Sequence, residues 1–394
     1  MSVALTSLII ILSSAALLLP TPGIADCLAP GRWWNGDDLQ PESQTQLYAE
    51  ATQHEIVLLG EQHDNKAHHR WQLHTLAGLH AHHDELVIGL EMLPREAQPV
   101  LDAWVAGELN EKAFLEQSRW HESWGFDPAL YLPILHFARM QAIPLVALNI
   151  SPTLRQRLAD GWHQVPADER FGITSPLAAS ENYRQRLTQV FQHHALAPLD
   201  DENHEDRNSE ENNSQKENHA LERFIQAQLA WDRAMASALA DSIEPGVLVV
   251  GLMGQGHLLH GDGVPYQLKD LGVEDPLTLR PWDVSECRTP EPGSADLIYT
   301  LETSSGASLE PPRLGVMLES DSQGVRILHV EKQSLAEQAG LREGDIITHA
   351  AGSRVASPSM LVMIINRQAP GTLLPLEVQR DGATRERLVR FPSS

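Results

Sequence analysis

Four short apolar runs recur along the chain: Ile56-Val57-Leu58-Leu59, Leu86-Val87-Ile88-Gly89-Leu90, Pro144-Leu145-Val146-Ala147-Leu148 and Val247-Leu248-Val249-Val250. Unbroken apolar stretches of this length suit strands covered on both faces, as in a parallel sheet. Helical spacing marks the stretches between them, with Leu76 and Leu79 after the first run and Phe224, Leu229, Trp231, Met235 and Leu239 before the last. Strands alternating with helices predict an α/β fold: a mainly parallel sheet flanked by helices.

The pattern then changes. Asp200 to His219 has no apolar side chain and eight acidic ones, which predicts a solvated loop or insertion without chemistry of its own. Residues 289–310, rich in Pro, Gly, Ser and acid, read as a linker. Beyond it, strand-like runs at Gly324–Val330, Leu374–Arg380 and Arg387–Phe391 accompany short helical stretches near Ser334–Ala339 and Ser359–Arg367. They predict a small β-rich module over 311–394.

Residues 1–25 carry no charged side chain, and the run from Leu8 to Leu19 has the length of a signal-peptide core, short of the roughly 20 residues that span a bilayer. With Gly23 and Ala25 ahead of a cut at Asp26, the segment reads as an export signal to the periplasm. The α/β domain then occupies 26–288.

Composition narrows the partners. The formal charge is −24, from 29 Lys+Arg against 53 Asp+Glu, a field that repels nucleic acid. Residues 308–394 hold ten basic and ten acidic side chains, so the excess lies before them. In an oxidising compartment the only two cysteines, Cys27 and Cys287, are candidates to join the mature N-terminus to the end of the large domain. Cys27 also stands where a lipidated cysteine would, although Asp26 occupies a place where lipoprotein processing favours a small residue. Such a lipid is the only route to a membrane that the sequence offers.

Each apolar run leads into polar groups: Gly60-Glu61-Gln62-His63, Glu91, Asn149 and Gly254-Gln255-Gly256-His257. Ligands of open parallel sheets bind at the carboxyl ends of the strands, so Glu61, His63, Glu91, Asn149 and His257 are expected to share one pocket. Carboxylates and imidazoles make metal and acid–base sites, and neutral imidazole ligates haem iron. Taken singly, Glu61 or Asp64 reads equally as a helix cap and Asn149 as the holder of a turn. The other histidines of one predicted helix, His68, His69, His74, His80, His82 and His83, are expected to be mostly solvated, with His69 and His260 kept as minor candidates. Tyr131 joins the candidates because a phenolate can hold haem iron.

The motifs LLGEQHDNKAHH (58–69), GLEMLPREAQPVLDAW (89–104), WGFDPALYLPILHFARMQAIPLVALN (124–149) and GLMGQGHLLHGDGVP (251–265) resemble the ChaN-like haem-binding uptake family of the Tiki superfamily, over roughly 45–285. The resemblance implies haem as cofactor, a role in iron uptake or haem handling, and a dimer with two haems face to face. It also implies a tyrosine ligand, for which Tyr131 is the candidate, beside His63, His257 and Asn149 around the cofactor. Tiki-type relatives resemble metal-dependent proteases with paired G-x-x-H motifs and a glutamate. By that resemblance Glu61 and Glu91 become alternative catalytic residues, with Glu61, His63, Glu91 and His257 holding a divalent metal ion. The C-terminal module resembles a PDZ domain through Leu314-Gly315-Val316, which is similar to a carboxylate-binding loop, and through Ala339-Gly340-Leu341-Arg342-Glu343-Gly344-Asp345-Ile346-Ile347. A PDZ binds a partner's C-terminus by strand addition, and the absence of His near Pro358 to Met360 directs its expected preference to an apolar terminal residue.

Overall fold

The structure is a computed structural model, and it describes residues 27–195, 210–285, 287–302, 313–369 and 371–392. The expected export signal lies outside the described residues, as do 200–209 of the acidic insertion.

The large domain is built on β1 (Trp33–Asn35), β2 (Pro41–Glu42), β3 (Ile56–Glu61), β4 (Leu86–Pro94), β5 (Leu145–Asn149), β6 (Leu248–Gly254), β7 (Leu277–Asp283) and β8 (Leu297–Leu301). They form one eight-stranded sheet in the order β2-β1-β8-β7-β3-β6-β4-β5. All neighbours from β8 to β5 pair in parallel, and only the β1 edge is antiparallel. The four apolar runs are β3 to β6. Their alternate residues enter opposite cores: Val57, Leu59, Ile88 and Leu90 pack with Trp71, Leu76 and Trp104, whereas Ile56, Leu58 and Val249 pack with Met235 and Leu239. Both faces are therefore dry, which is why these runs lack polar alternation.

The structure corrects two expected boundaries. The span 289–310 is not a linker throughout, because Leu297–Leu301 is a strand of the main sheet, and the large domain continues past 288 to Leu301. This strand is half buried in alternation beside the sheet edge, so it lacks the continuous apolar run that marked the others. The acidic insertion is not a loop throughout either. From Glu210 it belongs to the helix Glu210–Ala240, and Glu, Gln and Lys are good helix formers.

Cys27 and Cys287 form a disulfide with Cα atoms 4.9 Å apart. Beside it, Thr300 Oγ1 donates to the Ala29 carbonyl at 2.7 Å, and Gly31 N–H donates to the Thr300 carbonyl at 2.8 Å.

The second module has β9 (Val316–Asp321), β10 (Gly324–Val330), β11 (Ile346–Ala350), β12 (Ser353–Arg354), β13 (Leu373–Arg380) and β14 (Ala383–Arg390). Its antiparallel sheet runs β14-β13-β11-β10-β9, with β12 on β11, around a core of Val325, Ile347, Leu361, Leu374 and Val389. The helix Pro358–Asn366 meets the large domain, where Ser359 Oγ donates to the His121 carbonyl at 2.9 Å and Arg367 Nε to Asp127 Oδ2 at 2.9 Å.

Candidate functional site

The parallel register aligns the strand ends: Glu61, the last residue of β3, lies opposite Gly254, the last of β6. Glu91 stands on β4, and the turn after β6 delivers His257. Glu61, His63, Glu91 and His257 thus meet at one end of the sheet.

They are organised as two imidazole–carboxylate assemblies. In the first, His63 Nδ1–H donates to Glu61 Oε1 at 2.6 Å. Burial disfavours the charged imidazole, but the bond to Glu61 and the charge of Glu91 outweigh it and raise the His63 pKa above its ordinary value. Nε2 of His63 has no hydrogen-bond partner among the described residues. The ring retains 29% side-chain exposure between the aromatic rings of Trp124, 4.6 Å away, and Phe126, 5.0 Å away. Gly254 passes so close that an added Cβ would stand 2.7 Å from His63 Cε1, so any larger residue here would have to displace the His63 ring.

In the second assembly His257 is clamped between two fully buried carboxylates. Asp232 Oδ1 accepts from Nδ1 at 2.5 Å, and Glu91 Oε1 lies 3.4 Å from Nε2. Burial again opposes the charge, but Glu91 and Asp232 prevail and hold the His257 pKa at about 10. Glu91 is pinned in turn by the Gly254 N–H, 2.6 Å from Oε2, and its carboxyl is held below the usual range by His257, His63 and that N–H against the effect of burial. Tyr183 donates to Asp232 Oδ2 at 2.7 Å. His257 is thus favoured as an imidazolium, with Nδ1 hydrogen-bonded to Asp232 and Nε2 facing Glu91.

Other expected ligands take structural places. Tyr131 is 2% exposed, and its hydroxyl lies 3.3 Å from both Glu61 Oε1 and the His63 carbonyl. Burial and the charge of Glu61 push its pKa far up, so it is a neutral interior hydroxyl that props the Glu61–His63 pair. Asn149 brackets two strand ends by donating to the Glu91 carbonyl at 3.0 Å and accepting from Ile150 N–H at 2.7 Å. His260 is turned away, 3.3 Å from Glu291. His68 and His69 are buried rather than solvated, at 3% and 2% exposure, because the first turn of their helix lies under the end of β3. His69 Nε2 meets the His63 carbonyl at 3.1 Å and so buttresses the same loop.

Among the described residues no group of three or more His, Cys, Asp or Glu side chains is placed to hold a metal, and His257 faces a carboxylate on each side. Haem fits better, since it asks for one open imidazole and apolar walls, which His63, Trp124 and Phe126 provide. A ligating His whose other nitrogen donates to a carboxylate is oriented and made more basic, and Glu61 does this for His63. Asp232 was missed in the sequence. Its signal was an acidic residue lodged beside Trp231 on the apolar face of a helix.

In the C-terminal module, Leu314, Gly315, Val316 and Leu318 face Val362 and Ile365 of the helix Pro358–Asn366 across a groove of about 320 Å³, with Arg313 at its rim. Gly315 has φ +76°, and a Cβ there would fall 2.3 Å from Ser334 Cβ, so glycine is required at this turn.

The model of the family described as haem-binding uptake, Tiki superfamily, ChaN matches residues 47–268, and a PDZ domain model matches 312–390. The chain belongs to this ChaN-like haem-binding family of the Tiki superfamily and carries a C-terminal PDZ domain. Among solved structures, it shares its fold with a Campylobacter jejuni ChaN described with cofacial haem binding, at 16% identity and TM-score 0.53 over 68% of this chain and 95% of that one. The HtrA3 PDZ domain bound to a phage-derived ligand matches at 22% identity and TM-score 0.19, over 20% of this chain and 82% of that one. A Yersinia pestis serine endoprotease matches at 22% identity and TM-score 0.19, over 21% and 28% respectively. A search of curated proteins finds no match.

Proposed function

We propose that the protein is an exported haem carrier for iron uptake or haem handling, with His63 as the iron ligand and the PDZ domain recruiting a partner protein by its C-terminus. The observation that carries the haem site is the His63 ring itself. Its Nδ1 is held by Glu61, its Nε2 is unengaged, and two aromatic side chains flank it. When bound, haem supplies the iron; the chain supplies an oriented imidazole, apolar walls and, through Tyr131 and His69, a fixed loop. Pairing of two haem-loaded chains face to face is part of the proposal, in line with the cofacial haem described for the Campylobacter jejuni protein. The Cys27–Cys287 disulfide supports export, since such bonds persist in oxidising compartments. It also leaves the Cys27 sulfur no valence for a lipid.

Titration of the full chain with haem, followed in the Soret region, should give a saturable shift. His63→Gly should weaken it by about 100-fold, at or beyond the cost of removing a partner of a metal-bound His. Unchanged saturable binding in that variant would move the iron ligand elsewhere.

The PDZ groove should bind a peptide ending in a free carboxylate after an apolar residue, read by fluorescence anisotropy on the full chain. Amidation of that terminus should weaken binding by about tenfold or more, roughly 1.4 kcal/mol. Equal binding of acid and amide would remove the C-terminus as the recognised group.

A further inference from the structure

Next to the His63 loop lies a cleft of about 300 Å³, lined by Gln62, His68, Gln255, Arg280 and Trp282, with Asp283 also on its wall. One buried donor on this cleft, the Arg280 side chain, has no hydrogen-bond acceptor among the described residues. Arg280, on β7, is 7% exposed; its guanidinium makes no hydrogen bond among the described residues, and its Nε is wholly enclosed. It sits over the Trp282 ring at 5.1 Å. Burial pushes its pKa down to about 10, with only Glu291 acting against that. His68 accepts the Gln62 N–H on Nδ1 at 3.0 Å, which leaves its proton on Nε2. Burial, His69 and Arg280 hold His68 neutral, with a pKa of about 4. Gln255 Oε1 is also buried without a partner. Asp283 and Arg288, at the same cleft, have interactions of their own.

A buried guanidinium without a hydrogen-bonded carboxylate is costly, and its planar fork matches one. We propose that this cleft binds a carboxylate group between Arg280 and the Nε2–H of His68. Gln62 directly precedes His63 in the chain, and Gln255 opens the turn that carries His257, so the cleft adjoins the iron-binding residue. If the haem reading holds, on which this source rests, the carboxylate is a propionate arm of the haem; the other source is a free small organic acid.

The test titrates the full chain and Arg280→Gln with haem and with haem dimethyl ester, and measures the thermal midpoint of both with and without succinate. For the propionate source, the wild type should bind haem at least about tenfold tighter than the ester, and Arg280→Gln should bind both at the affinity of the ester. For a free acid, haem and ester should bind alike while succinate raises the midpoint of the wild type and not of Arg280→Gln. Should Arg280→Gln fail to fold, Arg280→Lys, which keeps the charge without the fork, should show a reduced preference or a reduced succinate shift. Haem affinity and succinate response both unchanged in the variants would overturn the proposal. Failure of haem to bind any of the proteins would count against the haem reading alone, because the succinate arm still reads the cleft.

Discussion

Replacing His257 with Ala should destabilise the large domain by about 3–5 kcal/mol, the cost of removing one partner from a buried ion pair. Glu91 and Asp232 are both 0% exposed, and His257 is the cation between them. Without it, two carboxylates face a dry space, and the Gly254 N–H and the Tyr183 hydroxyl offset only part of the loss. The effect has a defined pH dependence. The His257 pKa is raised to about 10, so its stabilisation is complete below its unfolded value near 6.5. It is lost as pH rises from there through about 10, at up to about 1.4 kcal/mol per unit. Glu91 is shifted down, so its contribution is present above the unfolded value of 4.5 and is lost as pH falls towards its folded value. The wild type should therefore be most stable between these limits, and His257→Ala should lack the alkaline decline. Urea unfolding near neutrality and again about three pH units higher checks both; a variant as stable as the wild type near neutrality would show that the triad carries no net charge coupling.

The second large effect concerns the disulfide. Cys27→Ser with Cys287→Ser should cost about 2–5 kcal/mol, since the bond joins residues 260 apart and limits the unfolded chain. For a domain of this size that corresponds to a fall of about 5–15 °C in thermal midpoint. The bonds of Thr300 to Ala29 and Gly31 remain in the reduced protein, so β1 should stay docked and the haem titration should be little changed. Calorimetry with and without reductant measures the effect, and equal midpoints would mean that these backbone bonds alone fix the N-terminal segment.

The sequence exposed the architecture where burial is symmetrical. β3 to β6 are dry on both faces, so each left a continuous apolar run, and the polar residue closing each run marked the ligand end of the sheet. β7, β8 and the short antiparallel strands β1 and β2 left no such run; Leu297–Leu301 is covered on one side only and Arg280 interrupts β7. At the site, residue identity was legible but role was not. Gly60-Glu61-Gln62-His63 and Gly254-Gln255-Gly256-His257 read as equivalent motifs, yet one histidine keeps an open nitrogen and the other is locked as a cation. The difference comes from Asp232, contributed by a helix outside both motifs, and no local spacing shows that contact. Tyr131 has the chemistry of a phenolate ligand, whereas its packing against Trp120 and His69 makes it an interior prop.

The assignment of His63, oriented by Glu61, as the haem ligand is tested most directly by adding free imidazole to the haem complex of His63→Gly and recording the Soret and visible bands. The variant should lack the wild-type spectrum, and imidazole, filling the space of the missing ring, should restore it along with affinity. A wild-type spectrum in the variant without imidazole would contradict the assignment.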